Sequence, residues 1–496
     1  MEKNKKWFLQ VISSAAALLL VISCLTVAAD PFSHYHKPSE KIPYEYFASD
    51  QIYLNPGIVK HFDYDALITG SSMTENFRVS YFYEALGVNA VKVSYSGARS
   101  KDMNIIIKRA LESNPNLKTV YLGLDLYMLK GADTEETRHP HPEYLYNSNP
   151  FDDVNYLFNK DILFKKVLPS LIGAAKGLKS ESFDQYSVWD HLVVYGQNGT
   201  LKSSAGMEKA DVSADAAKRV IKDADSNLKK NFIPLIEAYP DVKFVIFFPP
   251  FSILYWYFRD TESELNILEH AVNSLIKYDN TELFMFMNNL SIIYNLYNYT
   301  DPVHYSADIN IYMTNCFKNG THLLTAENSE SELQAMRTAV ENFDYGLIFG
   351  GSNPFITENN FLKYTEKINS SRYVVLIASR SDNPAGASDI FAGMSSDFGL
   401  DSENRGRSYA AVFSGGNAVF EQADEERILY SGNDFGLSVS IVCEDRGGES
   451  YTEIVIDGIR YAYGQRGVSI VVYDKVTKRV LDNIYLNIQD GSIQRK

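Results

Sequence analysis

Five short apolar runs, separated by stretches with helical patterning, constrain this chain more than anything else in it. They are Asp65-Ala-Leu-Ile-Thr-Gly70, Ala90-Val-Lys-Val-Ser-Tyr95, Thr119-Val-Tyr-Leu-Gly-Leu-Asp125, Lys243-Phe-Val-Ile-Phe-Phe248 and Glu282-Leu-Phe-Met-Phe-Met287. Each is strand-length, rich in β-branched and aromatic residues, and closed by glycine, proline or a polar residue. Runs that are apolar throughout suit a parallel sheet with both faces covered. Helices are predicted over 76–86, 100–113 and 260–277. The alternation therefore predicts an α/β domain with a doubly wound, parallel five-stranded sheet.

At 496 residues the chain exceeds one ordinary core. Residues 126–240 interrupt the alternation with polar and aromatic sequence, helical near 160–176 and 214–238. They read as an insertion that caps one edge of the sheet. Residues 30–60, rich in Pro, Tyr and His, read as an extended lead-in. A polar stretch around 323–335 marks a boundary. The remainder, 335–496, has Gly-rich turns, short strands such as Tyr373-Val-Val-Leu-Ile-Ala378, and a hairpin signal at Asp474-Lys-Val-Thr-Lys478, so an α+β or β-rich domain is expected there.

Lys3, Lys5 and Lys6 precede an apolar run from Trp7 to Ala29, close to the length that spans a bilayer as a helix. The basic flank would stay in the cytoplasm and the body would lie outside, at the cell membrane. Cleavage after Val27-Ala28-Ala29, or lipidation at Cys24 in Val21-Ile22-Ser23-Cys24, are the alternatives. The run continues past Cys24, which favours an uncleaved anchor over 1–29. All three readings export the body. A net charge of -15 argues against a nucleic-acid partner. Cys24, Cys316 and Cys443 show no metal-ligand spacing, and no cofactor is expected. His139-Pro-His141 is weak evidence for a metal pair. Pro249-Pro250 followed by Phe251, Tyr255, Trp256 and Tyr257 would either line a groove for sugars or pack as a loop.

In doubly wound sheets, ligands bind beyond the carboxyl ends of the strands. Ser72 follows the first run, Gly97 the second, Asp125 ends the third, and Asp301 and His304 follow the last. A serine hydroxyl needs a base, and an imidazole with an acid three residues before it supplies one. Taken alone, Gly70-Ser71-Ser72-Met73 would be a helix-capping turn and Asp301-Pro-Val-His304 a helix start. Their shared edge favours a Ser-His-Asp arrangement of Ser72, His304 and Asp301.

These segments, Gly70-Ser-Ser-Met-Thr74, Ser96-Gly97, Gly123-Leu-Asp125 and Asp301-x-x-His304, resemble the SGNH (GDSL-like) hydrolase superfamily over roughly 28–325. The closest likeness is to exported, membrane-anchored bacterial proteins with Asp-Pro-Phe-x-x-Tyr-His (Asp30 to His36) and His-Phe-Asp-Tyr-Asp-Ala (His61 to Ala66). The resemblance implies an SGNH/flavodoxin-like domain over 30–330, with Ser72 as nucleophile, His304 as base and Asp301 as its orienting acid. It implies an oxyanion hole from the Ser72 and Gly97 N–H groups. Two departures stand out. Ser71 replaces the family's Asp, and Asp125 stands where the family has an Asn donor. An ionised Asp cannot donate. Asp125 would have to be protonated or face elsewhere, or the hole would rest on two donors.

Within 335–496, Ile456-Asp-Gly458 and Gln465-Arg-Gly-Val468, then Phe361 to Asp382 and Arg407 to Gly416, resemble an interleukin-like EMT-inducer (PANDER-like) domain in permuted order. Some such domains bind glycans; a structural role is the alternative. The resemblances imply an extracytoplasmic, membrane-tethered serine esterase or O-acyltransferase acting on cell-surface glycan or small acyl esters. A non-catalytic cell-surface carbohydrate-binding protein is the alternative.

Overall fold

All five expected strands form. β1 (Ala66–Gly70), β2 (Ala90–Ser94), β3 (Thr119–Gly123), β4 (Lys243–Phe248) and β5 (Thr281–Met285) run parallel in the order β2-β1-β3-β4-β5. A sixth strand, β6 (Leu323–Leu324), pairs antiparallel with β5 and makes the sheet six-stranded, not five-stranded. Two residues carry no periodicity to read. The computed structural model describes residues 2–44, 51–137, 140–210, 214–349, 360–380, 408–446, 449–463, 467–486 and 492–495. His139, Arg407, Gln465, Arg466 and the stretch 381–406 lie outside the described residues.

The helices include α1 (Glu2–Ala29), α2 (Gln51–His61), α3 (Val79–Leu86), α4 (Ser100–Ser113), α5 (Ala214–Asn227), α6 (Thr261–Leu275) and α7 (Ala307–Asn319), with a further one over Ser329–Glu341, in the polar stretch expected as a boundary, and shorter pieces elsewhere. Helices cover both faces of the sheet. On one, Thr69 of β1 meets Met103 of α4, and α4 adjoins α2 and the 228–238 segment that continues α5. On the other, Phe317 of α7 packs against Phe77, Phe82 of α3, Tyr121 of β3, Phe247 of β4 and Phe284 of β5.

Two parts of the 30–240 region differ from expectation. Residues 51–61 are helical despite Pro56, so the extended lead-in ends earlier than 60. It crosses α2 at Gly57, where a Cβ would lie 2.0 Å from the Phe32 carbonyl oxygen; only glycine fits such a close approach. The segment 214–238 is not lid. It packs between α4 and α6 as the β3-to-β4 crossover that a parallel pair requires. An amphipathic helix looks the same in sequence whether it covers a sheet or caps its edge.

Just past α1, the buried Asp30 carboxylate accepts the backbone N–H groups of His34, Tyr35 and His36 at 2.8–3.0 Å and the Tyr156 hydroxyl at 2.8 Å. His34 and Tyr35 bond Asp153 at 3.0 Å, and His36 Nε2 lies 2.7 Å from the Val27 carbonyl oxygen. The Asp-Pro-Phe motif thus joins the end of α1 to the insertion.

Beyond residue 360 the described chain is β-rich. One antiparallel sheet contains β7 (Tyr373–Arg380), β8 (Ser408–Ser414), β9 (Asn417–Asp424), β14 (Gly467–Asp474), β15 (Arg479–Leu486) and β16 (Ile493–Arg495), in the order β16-β15-β14-β7-β8-β9. The other is the meander β10 (Ile428–Asp434), β11 (Leu437–Arg446), β12 (Glu449–Ile456) and β13 (Ile459–Tyr463). This β-rich part grips the loop that carries Asp301 and His304. Tyr297 donates to Asp482 at 2.9 Å, Asn295 to Tyr461 at 2.7 Å, and Arg460 pairs with Asp308 of α7.

Candidate active site

Two loops from opposite ends of the α/β region converge beyond the carboxyl ends of the strands. After β1, the Ser71 hydroxyl accepts the Met73 N–H at 3.2 Å and starts a single 3-10 turn over Ser72–Thr74. After β5, the Asp301 Oδ1 accepts the backbone N–H groups of Val303 and His304 at 2.8 and 2.9 Å, folding Asp-Pro-Val-His into a tight turn ahead of α7. Each loop keeps the local role that its sequence suggested, a cap and a helix lead, and carries a candidate catalytic side chain as well. The two are cross-tied by the Tyr305 hydroxyl, which donates to the Met73 carbonyl at 3.0 Å, and the loop after β4 braces the second, the Ser252 hydroxyl donating to the Pro302 carbonyl at 2.7 Å.

Ser72 Oγ lies 2.8 Å from His304 Nε2, and His304 Nδ1 lies 2.7 Å from Asp301 Oδ2. The relay spans 232 residues of sequence in one chain of hydrogen bonds. Burial by itself would disfavour the imidazolium. The Asp301 hydrogen bond and the nearby carboxylates of Asp301, Asp125 and Glu75 outweigh it, so His304 binds its proton more tightly than an ordinary histidine. Burial also opposes ionisation of Asp301, but the His304 contact and the two backbone N–H groups prevail and hold its pKa below the usual value. A carboxylate that stays ionised beside a strongly basic imidazole suits general-base work.

Ser72, Gly97 and His304 line one cavity of about 1110 Å3. Gly97 has φ +71, a left-handed conformation that favours glycine. Among the described residues neither the Ser72 N–H nor the Gly97 N–H donates within the protein. Trp189, Leu192 and Val193 of the insertion form an apolar wall, with the Trp189 ring edge-on to His304 at 5.3 Å. The insertion therefore does meet the site, through 187–193. Arg99, stacked on Tyr127 at 4.0 Å and paired with Glu135 at 3.0 Å, lines the same cavity.

Asp125 does not line the cavity. It is buried, and its Oδ2 accepts the Ser71 hydroxyl. The two departures from the family pattern are thus bonded to each other. Asp125 Oδ1 has no hydrogen-bond partner. Burial pushes the Asp125 carboxyl up to about 7, against the opposing pull of Ser71 and His304. A carboxyl with a raised folded pKa stabilises the fold at low pH, and that contribution is lost as pH rises from about 4 through about 7. Asp125→Asn is expected to remove this loss. Raising the pKa from 3.8 to about 7 sets a ceiling of roughly 4 kcal/mol on the cost of the ionised form. We expect the variant to be more stable than the parent at pH 8 by about 1–2 kcal/mol, and no more stable at pH 4. Denaturant unfolding at the two pH values measures this, and an equal effect at both would refute it.

Glu75, three residues after Ser72, is the residue that sequence reading missed. Its Oε1 accepts the Gln51 side-chain amide and the Ser96 hydroxyl, both at 2.7 Å, while Gln51 accepts the Ser96 N–H at 2.9 Å. This network fixes the turn that presents the Gly97 N–H. Burial raises the Glu75 pKa. Lys92, inside β2, is fully buried and donates to the Glu75 and Phe77 carbonyls; burial pushes its pKa down to about 7. The polar Ser72-x-x-Glu75 spacing and a lysine inside an apolar strand were the available signals.

The other expected residues sit elsewhere. Phe251, Tyr255 and Trp256 are buried in the core, while Tyr257 is half-buried and lines a separate recess with Lys209 and Phe258. His141 faces Glu136 and Asp102. Among the described residues no group of three or more His, Cys, Asp or Glu side chains could hold a metal ion. No protein-family model, curated protein or solved structure matches this chain.

Proposed function

We propose that the chain is a membrane-tethered serine esterase or O-acyltransferase of SGNH type. The observation that carries this reading is the unbroken Ser72–His304–Asp301 relay opening onto a cavity beside two unpaired N–H groups. His304 Nε2 takes the Ser72 proton as Oγ attacks an ester carbonyl. The negative charge that develops on the carbonyl oxygen is received by the Ser72 and Gly97 N–H groups, which are worth most where charge appears only in the transition state. His304 returns the proton to the departing alkoxide, leaving acyl-Ser72. A second hydroxyl, from water or a glycan, loses its proton to His304 and takes the acyl group. A wide cavity with both an apolar wall and polar lining suits an acylated, hydroxyl-rich substrate. Placement outside the membrane rests on α1: within Asn4–Ala29 an 18-residue stretch has mean hydropathy 2.4 and little burial, with lysines at the start of the helix.

Covalent labelling of the full chain by a fluorophosphonate tests the reading. Folded protein that acquires no adduct at Ser72 would sink it, and would favour a surface protein that holds glycans without chemistry. The pH profile gives a second check. His304 must be neutral to act as base, and its proton affinity is raised, so kcat/KM for a neutral ester should fall on acidification with a midpoint above pH 6.5.

A further inference from the structure

We propose that the face of the insertion around 151–178 lies in the headgroup layer of an anionic bilayer, flush with the point where α1 leaves it. The inference rests on the reading of α1 as a bilayer span. Helix α1 packs against the turns 154–157 and 163–167. Its Thr26 hydroxyl donates to the Leu157 carbonyl at 3.3 Å, and Thr26 and Ala29 are buried while the helix before them is exposed. At about 1.5 Å per residue, its apolar run from Trp7 to Ala29 rises about 35 Å, roughly 5 Å more than a hydrocarbon core needs. The surplus matches the last turn, where Thr26 and Ala29 are sheathed by the insertion. That part of the insertion must therefore sit at the membrane surface.

Its chemistry suits that level. Phe151, Phe164 and Ile172 are 85%, 66% and 55% exposed, and Phe158 and Leu178 are exposed beside them. In 160–175, Phe164, Leu168 and Ile172 follow one another at helical spacing on the side away from the buried Ile162, Val167 and Gly173. A stable soluble surface rarely gathers so many large apolar side chains. Between 151 and 179 there are five lysines, Lys160, Lys165, Lys166, Lys176 and Lys179, against three acids, of which Asp152 is bonded by Asn147 and Asp153 by His34 and Tyr35, in a chain of net charge -15. An apolar helix face flanked by lysines is the pattern of a helix lying in an interface, and the lysines favour anionic lipid.

Spin labelling of the full chain in phosphatidylglycerol–phosphatidylcholine vesicles tests this. On a Cys24→Ser background, labels go at Leu19→Cys, Phe151→Cys, Phe164→Cys and, on the C-terminal hairpin, Val476→Cys. Collision with oxygen and with a nickel chelate separates lipid from water. We expect Leu19, Phe151 and Phe164 positions to favour oxygen several-fold over the Val476 position. The preference at 151 and 164, but not at 19, should shrink at least twofold in purely neutral vesicles. A lipid-exposed Leu19 position with 151 and 164 as wet as 476 overturns the proposal and leaves the anchor standing. A wet Leu19 position overturns the anchor itself. Dipolar broadening between copies at 164 without oxygen preference overturns the proposal in favour of self-association. Should a label at 164 unfold the chain, Phe151→Cys and Leu178→Cys carry the same comparison.

Discussion

Ser72→Ala in the full chain is expected to lower turnover of p-nitrophenyl acetate by at least ~10³-fold, with no change in the unfolding transition. His304→Ala should lose about as much, and the double variant little more, because nucleophile and base act as one unit. Residual rate above the uncatalysed reaction would come from the two N–H donors, which neither substitution touches. Among the described residues the Ser72 side chain bonds only His304, which lines the open cavity, so its loss leaves no buried polar atom stranded. Equal rates for parent and Ser72→Ala would end the esterase reading.

Asp301→Asn should be nearly as severe, for a reason written in its own turn. Asp301 Oδ1 accepts two backbone N–H groups, and Oδ2 faces His304 Nδ1. An asparagine must keep its oxygen toward the two N–H donors. Its amide NH2 then faces Nδ1, which must act as acceptor, and the imidazole proton moves to Nε2, aimed at Ser72. The base is blocked by a proton in the wrong place. A loss of about 10⁴-fold accompanies the same exchange in the serine-protease triad, and a comparable loss is expected here. Because the turn survives, the variant should unfold within about 1 kcal/mol of the parent. Equal turnover by the two proteins would show that His304 is not the base, whatever Ser72 does.

What was legible in the chain followed from repetition. Five strands could be read because each is a closed apolar run, and the shared edge of Ser72, Gly97, Asp125, Asp301 and His304 followed from strand ends alone. What was hidden depended on partners remote in sequence. Nothing in 126–240 distinguishes the 187–193 wall from the 214–238 crossover, because a helix or loop does not carry the address of the surface it covers. Asp125 was legible as a carboxyl at a strand end but not as the partner of Ser71. Glu75 and Gln51 line the cavity bonded to each other and to Ser96, on another strand's exit, a pairing no spacing in the sequence announces. Aromatic content left two readings open at Phe251, Tyr255 and Trp256, since the same residues serve a core or a rim, and burial decides for packing.

The knot of bonds around Asp30 has a mechanical consequence. A body hung from a bilayer by a slack tether samples a deep volume of the cell envelope, and its substrate can come from any height. Here three main-chain donors and a phenol converge on one carboxylate directly after the helix, so the stalk and the body turn together. On the proposed reading of α1 as a bilayer span and Ser72 as nucleophile, Ser72 would work at a fixed altitude and tilt, and acylated segments at other depths would have to bend or grow to reach it.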